Sequence, residues 1–109
     1  MFEEKINGCC PVETSLRILS GKYKSTIIWA LRNGALRYGE IQELIPQASP
    51  KMLAEQLKEL IDNDLISKVA YPVMPPKTEY SLTKYGEESL TVLQALTEFG
   101  RNYLSEHFV

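Results

Sequence analysis

The chain has 109 residues, of which 44% are hydrophobic, and this length and composition are typical of one globular domain rather than a disordered segment. The net charge of −2 argues against nucleic-acid binding through bulk positive charge, although a local basic face could still contact phosphates. No apolar run approaches the roughly 20 residues of a membrane-spanning helix, and the acidic start MFEEKINGCC is unlike a signal peptide, so we expect a cytoplasmic protein.

The first ten residues are expected to form a loose arm that ends in two adjacent cysteines, Cys9 and Cys10. Neighbouring cysteines cannot supply the disulfide framework of a small secreted fold, which leaves free thiols, ligands or bonds to a second chain. A metal site needs three or four ligands, and the two cysteines with His107, the only histidine, are too few and badly spaced. We therefore expect no metal and no other cofactor.

Two helices are expected after the arm. Residues 12–19 place apolar side chains on one helical face, and residues 22–32 are apolar on most sides, which is typical of a central helix with several neighbours. Three aromatic residues, Tyr23, Trp29 and Tyr80, are expected in the core rather than on a binding surface.

Residues 37–45 and 49–63 predict two further helices separated by a very short turn, as in a helix-turn-helix. Ser49 is a suitable N-cap, and Pro50 then occupies the first helical position, where its missing N–H costs nothing. The second helix would be the recognition helix, whose N-terminal residues approach base edges.

The helix over residues 49–63 is amphipathic. Its apolar stripe consists of Leu53, Leu57, Leu60 and Ile61. The opposite face is expected to carry Lys51, Met52, Glu55, Gln56 and Glu59. This face is either a plain solvated surface or the surface that reads DNA.

A β-hairpin and a long helix complete the chain. Residues 65–71 and 78–82 predict two strands, and the proline-rich segment 72–76 between them predicts a stiff tip, so that the hairpin resembles a wing. Thr83 is expected to cap a helix over residues 84–106 whose apolar stripe is longer than the small body can cover. It either folds back onto its own core or, as we expect, forms a two-fold homodimer.

These elements, in this order, resemble the HxlR-type family of bacterial winged-helix transcriptional regulators, relatives of the MarR type. The resemblance runs from Cys10 to about Tyr103 and is carried by three motifs. The motifs are Cys10-Pro11 with Gly21-Lys22, Arg37-Tyr38-Gly39-Glu40, and the run from Pro75 to Thr83. The chain departs from the family pattern at Tyr23, usually Trp, at Tyr38, usually Phe, and in having two adjacent cysteines.

The resemblance implies a mainly α fold with a small β-hairpin. Residues 1–109 would form a single winged helix-turn-helix domain, with a body over about 10–83 and a C-terminal dimerisation helix over about 84–107. It further implies a dimeric regulator that binds palindromic double-stranded DNA, with the first and last helices forming the dimer.

Seven residues are candidates for DNA contact, with solvent exposure as the alternative for each. Gln56 could pair with adenine, Lys51 with guanine or a phosphate, and Met52 with a thymine methyl group. Ser49 at the helix N-terminus favours a phosphate, and Glu55 shares the same outer face. Arg37 and Lys77, the latter at the expected wing tip, are candidates for phosphate or minor-groove contacts.

Cys10 is the candidate for sensing, because some members of the family detect electrophiles or oxidants through the cysteine before the proline. At a helix start the dipole favours a thiolate, and Lys22 or Lys24 would add to this effect if either lay close by. Cys9 is the second candidate. The alternative is that Cys10 is a small apolar residue at the dimer seam.

No enzyme motif is present in the sequence. It contains neither a phosphate-binding glycine loop nor G-x-S-x-G, and its only histidine lies near the C-terminus. A protein-interaction module that kept the winged helix without specific DNA binding is the remaining alternative.

Overall fold

The computed structural model describes residues 4–107 and contains five helices and three strands in that range. In chain order they are α1 (Pro11–Leu19), α2 (Lys24–Ala30), β1 (Leu36–Arg37), α3 (Tyr38–Leu44), α4 (Pro50–Asp62), β2 (Ile66–Tyr71), β3 (Lys77–Leu82) and α5 (Lys84–His107). The predicted mainly α fold with a small hairpin is confirmed. No described helix is long and apolar enough to cross a lipid bilayer.

The sheet has one strand more than the sequence predicted. Its order is β1-β3-β2, and both pairs are antiparallel. Strand β1 has only two residues, which pair Leu36 with Tyr80 and Arg37 with Glu79. So short a strand contains no alternating pattern that could reveal it, and it attaches the start of α3 to the hairpin.

Helix α2 lies at the centre of the core, as expected. Ile27 and Ile28 are fully buried, together with residues from α3, α4, the sheet and α5. The expectation that Trp29 is a core residue was wrong, because its side chain is 40% exposed and borders a groove along α5. Tyr80 is buried and Tyr23 partly buried.

Helix α2 is shorter than the predicted 22–32. Tyr23 has φ 73°, in the left-handed region, so no right-handed helix can begin before Lys24. At the other end Leu31 closes the helix, and its backbone N–H donates to the carbonyl groups of Ile27 and Ile28. The first and last residues of α2 depend on backbone dihedral angles, which the pattern of apolar side chains does not predict.

Helix α5 begins at a cap that also fixes it to the sheet. The Thr83 hydroxyl donates to the Asp64 carbonyl at 2.6 Å and accepts from the Gly86 N–H at 3.2 Å, which confirms Thr83 as the N-cap. Gly86 is buried and passes directly against the Leu65 carbonyl oxygen. The start of α5 is therefore packed on the body, whereas most side chains beyond Leu93 are exposed.

We expect Gly86→Ala to destabilise the protein by about 1–3 kcal/mol, because the added methyl group would overlap the Leu65 carbonyl oxygen and crowd Leu82. Gly39→Ala in α3 is the matched control, since a Cβ there meets no atom within 4 Å and alanine favours a helix. Urea unfolding of both variants tests this. Equal midpoints would show that α5 can move away from Leu65 without cost.

Candidate nucleic-acid interface

Two side chains of α3, Gln42 and Tyr38, hold the turn between α3 and α4. The Gln42 amide nitrogen donates to the Ala48 carbonyl at 2.9 Å and to the Ile45 carbonyl at 3.3 Å. The Tyr38 hydroxyl lies within reach of both the Gln42 amide oxygen, at 3.4 Å, and the Pro50 carbonyl, at 3.3 Å. These contacts join the end of α3 to the start of α4, as a helix-turn-helix requires.

The start of α4 confirms the predicted cap. Ser49 is extended, and its hydroxyl accepts from the Met52 backbone N–H at 3.1 Å, with Pro50 at the first helical position. The remaining N–H groups at this end are directed along the helix axis and favour an anion. The end of α4 that the sequence assigned to DNA is thus well defined.

Gln56 is not on the outer face, and its assignment as an adenine contact was wrong. The residue is only 7% exposed, beside Leu53 and Leu60 of the buried stripe. Its amide nitrogen donates to the Glu59 carboxylate at 3.0 Å, while its amide oxygen is buried near Gly21. Gln56 follows Leu53 by three residues and precedes Leu60 by four, so the helical repeat places it inward.

The outer face of α4 consists of residues that recur at intervals of three and four. Its exposed members are Lys51, Ala54, Glu55, Lys58, Glu59 and Asp62. Lys51, Glu55 and Glu59 therefore lie where they were predicted, whereas Met52 is partly buried at the edge. Ala54 was missed, although it follows Lys51 by three residues along the helix.

The two lysines of this face differ in whether an acidic side chain already binds them. Lys58 donates to Asp62 at 2.8 Å, and this hydrogen bond, with the Asp62 charge, raises the pKa of Lys58. Lys51 forms no ion pair with any acid in the described range 4–107. Lys51 is therefore the cation on this face that is available to a phosphate or a guanine.

Lys24 does not contribute to a basic surface. Its side chain is buried between α2 and α4, with the residue 3% exposed. Its ammonium group lies 3.4 Å from the Glu59 carboxylate. A buried cation needs such a partner, so Lys24 joins the central helix to α4 instead of facing solvent.

The wing tip does not carry Lys77, which the sequence analysis placed there. The tip is apolar, with Met74 92% exposed. Lys77 is the first residue of β3 rather than part of the tip, and it is partly buried. Its ammonium group lies 3.7 Å from the Glu79 carboxylate and 5.1 Å from the centre of the Tyr71 ring.

Arg37 lies where β1 meets α3 and its side chain is exposed, as predicted. Its backbone N–H donates to the Glu40 carboxylate at 2.9 Å, which fixes the start of α3. Because Arg37 pairs with Glu79 in the sheet, it lies on the same sheet face as Lys77. The helix-turn-helix and the wing therefore meet at Arg37.

Cys10 occupies the N-cap of α1, as expected, and Cys9 precedes it in a short bridge with Ile6. Both are free thiols; Cys9 is exposed and Cys10 partly buried. A cavity of about 280 Å³ adjoins them and is lined by Lys5, Gly8, Cys9, Cys10, Glu13, Thr14 and Arg17. Lys5 and Arg17, rather than Lys22 or Lys24, are thus the basic residues at this cavity.

Residues 4–107 contain no group of three His, Cys, Asp or Glu side chains that could hold a metal ion.

The model of the HxlR-like helix-turn-helix family matches residues 18–108. The chain belongs to this family. A relative from Methanothermobacter thermautotrophicus, named an uncharacterized HTH-type transcriptional regulator, is 39% identical over 86% of the chain and 72% of its own length. The chain is accordingly a transcriptional regulator of the helix-turn-helix type and not an enzyme.

Solved structures of similar regulators show the same fold. The redox regulator HypR in its reduced form is 31% identical and superposes with a TM-score of 0.82 over 89% of this chain and 99% of its own. The reduced form of YodB from Bacillus subtilis is 36% identical, with a TM-score of 0.70 over 92% and 95%. These likenesses confirm the winged helix-turn-helix fold of this HxlR-like protein.

Proposed function

We propose that this HxlR-like protein is a cytoplasmic homodimer that binds a palindromic operator in double-stranded DNA, with one α4 helix entering each of two successive major grooves. The observation that carries the proposal is the outer face of α4. It is solvated along its length, begins at a capped N-terminus, and is fixed to α3 by Gln42. A helix held in this way can present the same side chains to each half-site.

The first two turns of α4 supply the proposed base and phosphate contacts. Lys51 is free to bind guanine or a phosphate, Glu55 could accept from a cytosine amino group, and Met52 could touch a thymine methyl group. The Ser49 hydroxyl is already engaged as a cap. Its part is therefore to orient the helix N-terminus, whose N–H groups favour a phosphate.

Arg37 and Lys77 are the proposed contacts outside α4. Arg37 is exposed beside the helix-turn-helix and can reach a phosphate without losing a partner side chain. Lys77 would have to leave Glu79 to do so, which makes it the weaker of the two contacts.

The proposed dimer interface consists of exposed apolar side chains on α1 and α5. A groove of about 520 Å³ runs between these helices, and its apolar lining includes Val12, Leu16, Val92 and Leu96. Phe99, 70% exposed, extends the same stripe along α5. A second copy of the chain would cover this surface, since an isologous contact buries the same residues twice.

Thiol modification at Cys10, with Cys9 in a secondary role, is the proposed signal. Supporting relatives include HypR, solved as a redox regulator in reduced and oxidised forms, and YodB, solved in reduced and diamide-treated forms. The Cys10 thiol could add to a quinone, giving a hydroquinone thioether. Alternatively, the Cys10 thiols of the two subunits could pass two electrons and two protons to an azo oxidant such as diamide and become a disulfide. Because Cys10 begins α1, either change would act on a proposed dimer helix.

The DNA-binding proposal predicts tight, salt-sensitive binding to the DNA upstream of the protein's own gene. Lys51→Gln should weaken binding and reduce the slope of log K against log salt by roughly 0.9, the value for one phosphate contact in a duplex. Fluorescence anisotropy over a salt series measures both quantities. Lys5→Gln, which removes the same charge from the N-terminal arm, should leave them unchanged, and absence of wild-type binding at low salt would instead favour a protein-interaction module.

The dimer proposal predicts that Phe99→Glu converts the protein to a monomer, because the carboxylate would be buried against an apolar partner surface. Leu44→Glu is the matched control, since Leu44 is also exposed but lies on α3. Sedimentation velocity of both variants and wild type provides the measurement. A wild-type protein that sediments as a monomer at micromolar concentration would contradict the proposal.

The sensing proposal predicts that Cys10→Ser abolishes the effect of diamide or a quinone on DNA binding and preserves binding itself. Cys9→Ser should retain most of the response. Anisotropy before and after treatment, with mass spectrometry of the modified thiol, distinguishes the two cysteines. A response that persists in Cys10→Ser would remove Cys10 from the mechanism.

A further inference from the structure

One acidic residue, Glu79, lies among cationic side chains on the outer face of the sheet. In the sheet register it pairs with Arg37 on one side and with Val69 on the other. Side chains alternate along a strand, so Lys77, two residues before Glu79, shares this face. The face that connects the helix-turn-helix to the wing therefore carries two cations and one carboxylate.

The carboxylate of Glu79 is engaged by its neighbours. The ammonium group of Lys77 lies 3.7 Å away, and both side chains are partly buried. Tyr71 pairs with Lys77 in the sheet register and so lies on the same face, and hydrogen bonding to Glu79, followed by its negative charge, raises the pKa of Tyr71. The Tyr71 ring also lies 5.1 Å from the Lys77 ammonium group, so Lys77 is held between a carboxylate and an aromatic ring.

This arrangement is unfavourable for phosphate binding. A lysine contributes to DNA affinity by displacing a counterion from a phosphate, and this term does not depend on base sequence. A lysine that already has a carboxylate partner must exchange it for the phosphate. The carboxylate left behind then repels the DNA, since nearby like charges oppose each other.

We propose that Glu79 competes with DNA phosphates for Lys77 and thereby limits the sequence-independent part of DNA affinity. This inference rests on the proposed function, because it assumes that the wing face meets DNA. On this proposal, Glu79 weakens sequence-independent DNA binding. The base contacts of α4 then contribute a larger share of the total affinity and distinguish the operator from other DNA. Discrimination depends on the ratio of specific to non-specific affinity.

Glu79→Gln is the decisive variant, because glutamine keeps the shape and a hydrogen-bond acceptor for Tyr71 while removing the charge. We expect it to tighten binding to a random-sequence 30-base-pair duplex and to steepen the slope of log K against log salt by roughly 0.9. In the Lys77→Gln background the same substitution should have a much smaller effect, since coupled residues are not additive.

Glu106→Gln, at the far end of α5, makes the same change in net charge away from the wing and should leave both quantities unchanged. Thermal unfolding of Glu79→Gln confirms that the fold is retained. Unchanged or weaker binding by Glu79→Gln, or an equal gain with and without Lys77, overturns the inference. A wild-type protein that binds neither this duplex nor its own upstream DNA at low salt overturns the proposed function as well.

Discussion

The buried inner face of α4 is the constraint on which the rest of the structure depends. Leu53, Leu57 and Leu60 are almost completely removed from water, and each contributes roughly 1.5–3 kcal/mol by the usual estimate for a buried aliphatic side chain. Because these three residues fix the rotation of α4 about its axis, they also decide which residues face outward. Packing in the core therefore determines the surface that is available to DNA.

Polar contacts then fix the position of α4 along and across its neighbours. Gln42 joins it to α3 through the turn, and the ion pair of buried Lys24 with exposed Glu59 joins it to α2. Apolar packing is tolerant of small shifts, whereas hydrogen bonds with fixed donors and acceptors are directional. The leucines of α4 therefore stabilise the fold, and a few polar side chains set the position of α4 relative to α2 and α3.

Helices α1 and α5, at the two ends of the chain, leave apolar side chains exposed to solvent. The start of α5 is anchored by Thr83 and by the close approach of Gly86 to Leu65. Beyond Leu93 the helix leaves apolar side chains exposed, as α1 does at Val12 and Leu16. The cysteines lie at the start of α1, so the proposed sensing site and the proposed dimer surface share this helix.

Sequence alone determined the order and type of the elements, because periodicity, caps and breakers are local. Ser49, Pro50 and Thr83 identified helix starts, and the proline-rich segment 72–76 identified the wing tip. The motifs also identified the family. Strand β1 was missed because two residues carry no period, and its existence depends on pairing with a strand some forty residues later.

Only the tertiary structure decided which side chains share a site. Gln56 and Lys24 are polar residues that a sequence reading assigns to the surface, yet both are buried. Lys24 reaches its partner Glu59 from α2 to α4, whereas Gln56 donates to Glu59 within α4 itself. Glu79 becomes part of the wing face only through its register with Arg37 and its proximity to Lys77. Charge pairs between elements depend on residues distant in sequence, so no local pattern can specify them.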